Sequence, residues 1–174
     1  PEYLRQTRGV STGESGLLTA LPLLAVVAGS MLGGALVDWL WRRTGSLRIS
    51  RQWTAVVALT ACAVCIGAAY FVSNVYGAVC LISMGTFCGT LAGPPASATT
   101  IDKAGDHTEQ IYGMMNMAGN LGAAVCPLAI GYLVKATGNW DLVLLVFVGI
   151  YATAALCWVF LDPRGQVATE QHVA

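Results

Sequence analysis

The chain has 174 residues, of which 56% are hydrophobic and only 10% charged, and its formal net charge is zero. Its mean hydropathy is +0.65, whereas an ordinary soluble domain is about 25% charged. This composition excludes a soluble enzyme and a secreted disulfide scaffold, and the zero net charge gives no support to a nucleic-acid partner.

Long stretches without any charged residue dominate the sequence, at 15–37, 52–101, 110–134 and 142–161. A bilayer core needs about 20 apolar residues per helix, and the second stretch can form two helices around the turn signal Ser73-Asn74-Val75-Tyr76-Gly77. Backbone groups in lipid must bond internally, and no stretch alternates with period two. The sequence therefore predicts an all-α membrane protein with five transmembrane helices, at 14–37, 52–72, 75–100, 110–134 and 141–161.

Basic residues are divided unevenly between the two sides of these spans. One side carries six of them, Arg42, Arg43, Arg48, Arg51, Lys103 and Arg164, and the other carries three, Arg5, Arg8 and Lys135. Because basic loops stay in the cytoplasm, we expect the N-terminus outside and the C-terminus in the cytoplasm. The predicted domains are 1–13, the end of a preceding helix and an external loop; 14–163, a five-helix transmembrane bundle; and 164–174, a cytoplasmic tail.

The sharpest local pattern lies between the first two spans, in the segment from Gly33 to Gly45. Its spaced residues are Gly34, Asp38, Arg42, Arg43 and Gly45. We expect Asp38 to form an ion pair with Arg42 or Arg43, or to accept hydrogen bonds from the N-terminus of another helix. The alternative is an ordinary positively charged cytoplasmic loop in which a charged residue ends the apolar span, and such a loop would have a similar composition.

This G-x-x-x-D-x-x-x-R-R-x-G loop resembles the loop signature of the major facilitator superfamily, in its second-half copy. The segments 1–4 and 16–22 resemble the seventh-to-eighth helix region of its anion:cation symporter branch. The segment 113–122, with Pro127, Gly131 and 137–140 after it, resembles that branch's eleventh helix and following loop.

The resemblance implies half of a twelve-helix bundle, with this chain forming helices 8 to 12 and a missing N-terminal half of the same transporter as its partner. It implies a multi-pass protein of the plasma (bacterial inner) membrane that moves a small organic anion, such as a sugar acid or carboxylate. Transport would follow alternating access with proton coupling. The alternative is an inactive truncated fragment or structural membrane piece without transport of its own.

The third span carries a polar stripe that includes Thr86 and Thr90. Two interpretations remain open. The hydroxyls can bond to carbonyls of their own helix or join helices together, or they can line a polar cavity that contacts the substrate.

The fourth span places Asn116 and Asn120 one turn apart on the same face. Amides need both donors and acceptors, so they are costly to leave in lipid. A hydrogen bond between helices is one explanation. The resemblance favours substrate binding, because the branch's residue matching Asn116 faces the central cavity.

The spans hold no ionisable carboxylate, Lys, Arg or His well inside them. Proton coupling usually needs such a group at depth, so we expect the coupling carboxylate and the anion-binding cation in the missing half. An intramembrane enzyme would need a nucleophile with a base, or a metal cluster, at depth. We therefore predict no enzyme, no cofactor and no metal, with the lipid bilayer and the organic anion as partners.

Overall fold

The computed structural model describes residues 12–165, without the side chains of 12–15 and residue 17. The predicted preceding helix end and most of the tail lie outside the described residues. Within them the chain is helical and contains no strand. The helices are α1 (Thr12–Thr44), α2 (Thr54–Phe71), α3 (Val75–Leu91), α4 (Gly93–Ala104), α5 (Thr108–Thr137) and α6 (Asp141–Phe160). A π-helical turn, Arg48–Trp53, leads into α2, and a 3-10 turn, Gly105–His107, leads into α5.

Helix α1 extends well past the predicted span end at residue 37 and stops at Thr44. Gly45 ends it, with a φ of +61° and an N–H that donates to the Trp41 carbonyl over 2.9 Å. A left-handed residue after the last turn is a common helix end, and glycine adopts it without strain. The charges at Asp38 and Arg42 mark where apolar sequence stops, not where the helix does.

The predicted third span is divided into α3 and α4 at Ala92. Pro94 and Pro95 open α4 and have no N–H to give to the carbonyls of the last turn of α3. By contrast, Pro22 and Pro127 lie inside continuous helices.

The described residues contain four helical stretches long and apolar enough to cross a membrane: Leu18–Thr44, Arg48–Phe71, Val75–Thr137 and Asp141–Phe160. The third of them contains α3, α4 and α5 together, so it covers two of the predicted spans. The count of five transmembrane helices stays a prediction.

Glycines allow α3 to pack closely against its neighbours α1 and α2. A Cβ on Gly29 of α1 would lie 2.5 Å from the carbonyl oxygen of Phe87, and one on Gly33 would lie 3.0 Å from that of Leu91. A Cβ on Gly85 would lie 3.3 Å from the carbonyl oxygen of Cys62 on α2. Gly34, in contrast, has no neighbour within 4 Å of such a Cβ.

The core lies between α2, α3 and α6, where Ala58, Leu59, Cys62, Ile66 and Leu144 are buried. Helix α5 differs from the others because none of its residues is buried. It packs mainly against α4, with the Ser97 and Tyr112 hydroxyls 3.5 Å apart.

Candidate functional site

The two predicted asparagines form a pair on the exposed middle of α5. The side-chain amide of Asn120 donates to the backbone carbonyl of Asn116 over 2.9 Å and to its side-chain oxygen over 3.0 Å. Both residues are exposed in this chain. The amides therefore bond within one helix, and their helix face is open to a further partner.

The two predicted threonines bond to their own helix. Thr86 donates to the carbonyl of Ile82 over 2.7 Å, and Thr90 donates to those of Thr86 and Phe87, each over 3.0 Å. Thr90 also packs against Gly29 of α1. Such bonds satisfy the hydroxyl donors without a ligand.

Thr86 lines a cavity of about 360 Å³ between α1, α2, α3, α5 and α6. The lining residues with polar side-chain atoms are Thr19, Thr86, Trp140 and Tyr151, and the other lining residues are apolar. The volume is that of a small-molecule site. Since the lining has no charged side chain, the described residues alone cannot neutralise a bound anion there.

The structure does not bring all four predicted binding residues together. Thr86 lines the cavity, whereas Thr90, Asn116 and Asn120 are not part of its lining. Tyr151, a polar-tipped aromatic in the middle of α6, was missed by sequence reasoning. Its place in a span free of charges is the signal that could have identified it, because a buried tyrosine hydroxyl usually requires a partner.

The loop motif lies in the last turns of α1 and in the turn after it. Asp38, Arg42 and Arg43 are exposed, and between residues 12 and 165 no ion pair joins Asp38 to either arginine. The guanidinium of Arg43 lies 6.0 Å from the ring centre of Trp39 instead, within the range of a cation–π contact. The expected pairing of Asp38 is therefore not formed in this structure.

A polar network at one end of the bundle was not anticipated. Arg51 Nε lies 2.9 Å from Asp102 Oδ2 as an ion pair without an aligned hydrogen bond. Gln52 Nε2 donates to the carbonyls of Trp158 and Val159 over 3.1 and 2.8 Å. These contacts join the π-helical turn to α4 and to the end of α6.

Asp162 is the centre of the same network. Arg48 and Arg164 approach its carboxylate within 3.5 and 3.1 Å, and Lys103 Nζ donates to its backbone carbonyl over 2.8 Å. The side-chain and backbone hydrogen bonds from Arg164 lower the pKa of Asp162 to about 2. The segments that carry Arg48, Lys103 and Arg164 therefore meet at one end of the bundle.

No cluster of three or more His, Cys, Asp or Glu side chains that could hold a metal ion occurs among residues 12–165. All six cysteines are free thiols, and Cys62 is buried in the apolar core beside Tyr151.

Comparison with known proteins gives a match to one protein family and to several of its transporters. Residues 1–173 match the family model of the Major Facilitator Superfamily. A probable sulfoacetate transporter of Cupriavidus necator is 34% identical over 94% of this chain and 38% of its own length. A probable galactarate/D-glucarate transporter of Escherichia coli is 34% identical over 90% of this chain and 34% of its own length. A hexuronate transporter of Bacillus subtilis is 28% identical over 94% of this chain and 40% of its own length. The chain thus spans little more than a third of these relatives.

Proposed function

Because the chain belongs to the major facilitator superfamily and is an integral membrane protein, we propose that it is the C-terminal part of a transporter for a small organic anion. The cargo is a sugar acid or a related carboxylate, moved by alternating access. The observation that carries this proposal is the family match over residues 1–173, together with relatives named for sulfoacetate, galactarate/D-glucarate and hexuronate.

The contribution of this chain to the binding site is a set of neutral hydrogen-bonding groups. Asn116 and Asn120 on α5 supply amides for the hydroxyls and the carboxylate of the cargo, and Thr86 lies at the wall of the neighbouring cavity. Thr90 is the weaker member, since its hydroxyl bonds to its own helix and faces α1. The exposed face of α5 is the surface that the rest of the transporter would cover.

The remaining parts of the mechanism belong to the rest of the transporter. The cavity lining holds no charged side chain, so a cation from the N-terminal half would neutralise the anion. A carboxylate in that half would couple transport to a proton. The exposed residues Asp38, Arg42 and Arg43 at the end of α1, between Gly34 and Gly45, act in gating between the halves.

The proposed location is the bacterial inner membrane, with five spans in this chain, its N-terminus outside and its C-terminus in the cytoplasm. The basic end that joins Arg48, Lys103 and Arg164 would then face the cytoplasm, in line with the distribution of basic residues.

Uptake by cells that produce the whole transporter tests the proposal. Labelled D-glucarate, a hexuronate and sulfoacetate are offered separately, with and without a protonophore. We expect saturable uptake of at least one of them, lost in Asn116→Ala and retained in Gln110→Ala, a matched exposed amide on the same helix. Immunoblots of membranes confirm equal amounts of protein. Full uptake by Asn116→Ala would remove this residue from the site.

A second candidate is that these 174 residues have no transport activity of their own. The observations that favour it are the coverage of 34% to 40% of the relatives and the absence of any buried residue in α5. Reconstitution of the chain alone in liposomes distinguishes the two. Saturable uptake there would refute the need for a second half.

A further inference from the structure

A second groove runs along the outer side of the α2–α6 pair, away from α3 and from the cavity described above. It encloses about 540 Å³ and is lined by Val56, Thr60, Ala63, Val64 and Gly67 of α2 and by Val148, Ala152, Ala155, Leu156 and Val159 of α6. Its floor contains the buried residues Ala63 and Ala155. Its rims are formed by Val64, 65% exposed, and Leu156, 61% exposed.

The shape of this groove fits a linear hydrocarbon chain. Small residues in the floor and larger ones at the rims make a narrow channel, in which only Thr60 has a polar side chain. From Val56 to Gly67 the channel is about 16 Å long at 1.5 Å per helical residue. One leaflet of a bilayer has a hydrocarbon thickness of about 15 Å, half of the 30 Å core.

The groove ends directly beneath the polar network. Gln52 lies one turn before Val56, is buried, and bonds to the carbonyl of Val159 across the gap. Beyond it, Arg48 follows one wall and Arg164 the other, and both contact Asp162. At this end the groove is therefore closed by polar and charged side chains that come from both of its walls.

The group of side chains that meets at Asp162 carries an excess of positive charge. Arg48 and Arg164 pair with the single carboxylate of Asp162, and Lys103 donates to the backbone carbonyls of Asp162 and Arg164. Arg51 and Asp102 nearby neutralise each other. Arg48 and Arg164 are 49% and 58% exposed, and a guanidinium has five N–H donors. Both arginines therefore keep donors for another anion, and in the described part of the chain no further carboxylate contacts them.

We propose that the α2–α6 groove binds an anionic phospholipid, with one acyl chain along the channel and the phosphate on Arg48 and Arg164. Arginine binds phosphate oxygens in a forked, charge-assisted geometry. Basic pockets between transmembrane helices at the membrane surface are suited to such headgroups. The proposal depends on the chain being in a membrane but not on the cargo that the transporter moves.

Lipid retention by the whole protein that contains this chain tests the site. The protein is purified in a mild detergent and mixed with phosphatidylglycerol or phosphatidylethanolamine of identical acyl chains. Native mass spectrometry then gives the fraction of protein that holds each lipid. We expect phosphatidylglycerol to bind roughly thirtyfold more tightly, the scale expected for two interfacial cations.

Paired variants separate the headgroup from the chain. Arg48→Gln with Arg164→Gln removes the preference for phosphatidylglycerol, while Arg48→Lys with Arg164→Lys retains it if both proteins elute as folded species. Ala152→Leu fills the groove and lowers the retention of both lipids. The controls are Lys135→Gln, a cation at the other end of the bundle, and Cys157→Leu, an exposed site on the opposite side of α6. Neither control changes retention.

Three results would overturn the proposal. The wild-type protein could hold both lipids equally, the preference could survive the double glutamine variant, or Ala152→Leu could leave retention unchanged. A dimer that Ala152→Leu dissociates would assign the groove to a second copy of the chain instead. Because uptake is not measured, failure here leaves the proposed transport function unaffected.

Discussion

Asn120 donates its side-chain amide to the side-chain oxygen of Asn116 over 3.0 Å, one turn away along α5. This bond occupies the acceptor of Asn116 and leaves its N–H groups as the part able to donate to an anion. Asn120 therefore orients Asn116, and the two residues act as one unit on the exposed face of the helix.

The Asn120→Asp variant tests this unit. A carboxylate cannot donate to Asn116, and it places a negative charge beside the proposed anion. We expect the KM for uptake to rise about tenfold or more, and less in Asn120→Ala. The measurement is the uptake kinetics of both variants. Gln110→Glu, which adds the same charge at the start of α5, is measured beside them. An unchanged KM in Asn120→Asp would contradict the role of the pair.

Two nearby glycines of α1 give a matched test of helix packing. Gly29→Ala places a Cβ 2.5 Å from the carbonyl oxygen of Phe87, whereas Gly34→Ala meets open space. We expect Gly29→Ala to reduce the free energy of unfolding by about 1–3 kcal/mol through overpacking. Gly34→Ala should be neutral or stabilise by up to about 1 kcal/mol, since alanine favours helix. Denaturation of the two variants in the same detergent would show the difference, and equal stabilities would contradict the α1–α3 contact.

Much of the helical framework follows from the sequence because lipid leaves the backbone few options. Charge-free stretches indicated where helices lie, and the turn signal near Asn74 marks a real break, since α2 ends at Phe71 and α3 begins at Val75. Helix ends were harder to predict. The sequence boundary at Asp38 reflects the end of apolar residues, whereas the helix continues to Thr44 because charged residues do not disrupt helical hydrogen bonding.

Contacts between distant segments could not be read from the sequence. Gln52 bonds to carbonyls more than 100 residues later, and Asp162 contacts Arg48 and Lys103 from two distant segments. The sequence showed these residues only as charges and amides near span ends. Which of them meet depends on how α2, α4 and α6 pack together, and hydrophobic patterning does not specify that.

Gln52 provides a direct test of the polar network. It is 6% exposed, and its amide bonds to two carbonyls in the last turn of α6. Gln52→Leu keeps the size of the side chain but removes the donor to the Val159 carbonyl and one of the two donors to the Trp158 carbonyl, which keeps the N–H of Leu161. We expect a loss of about 1–3 kcal/mol in the free energy of unfolding. The exposed Gln110→Leu should change it by less than about 0.5 kcal/mol. Equal stabilities of the two variants would mean that the bonds at Gln52 contribute nothing.

The pH dependence of stability tests the contacts of Asp162. Hydrogen bonds from Arg164 lower its pKa from the ordinary 3.8 to about 2 in the folded chain. Folding therefore favours the ionised form, and this contribution is complete above the ordinary pKa and is lost as the pH falls from about 4 to about 2. Because Asp162 stays ionised in both the folded and the unfolded chain between pH 8 and pH 5, Asp162→Asn should be less stable than the wild type by a constant amount over that range.

The difference between the two proteins should then shrink below about pH 4. Thermal unfolding across this range, with the exposed Asp106→Asn as control, gives the measurement. A difference that changes between pH 5 and pH 8 would show that another group titrates with Asp162.

If the difference is constant, the charge of the network at the mouth of the α2–α6 groove is fixed over the same range. The lipid preference proposed for that groove should then also be independent of pH there, because the phosphate diester of the lipid remains ionised.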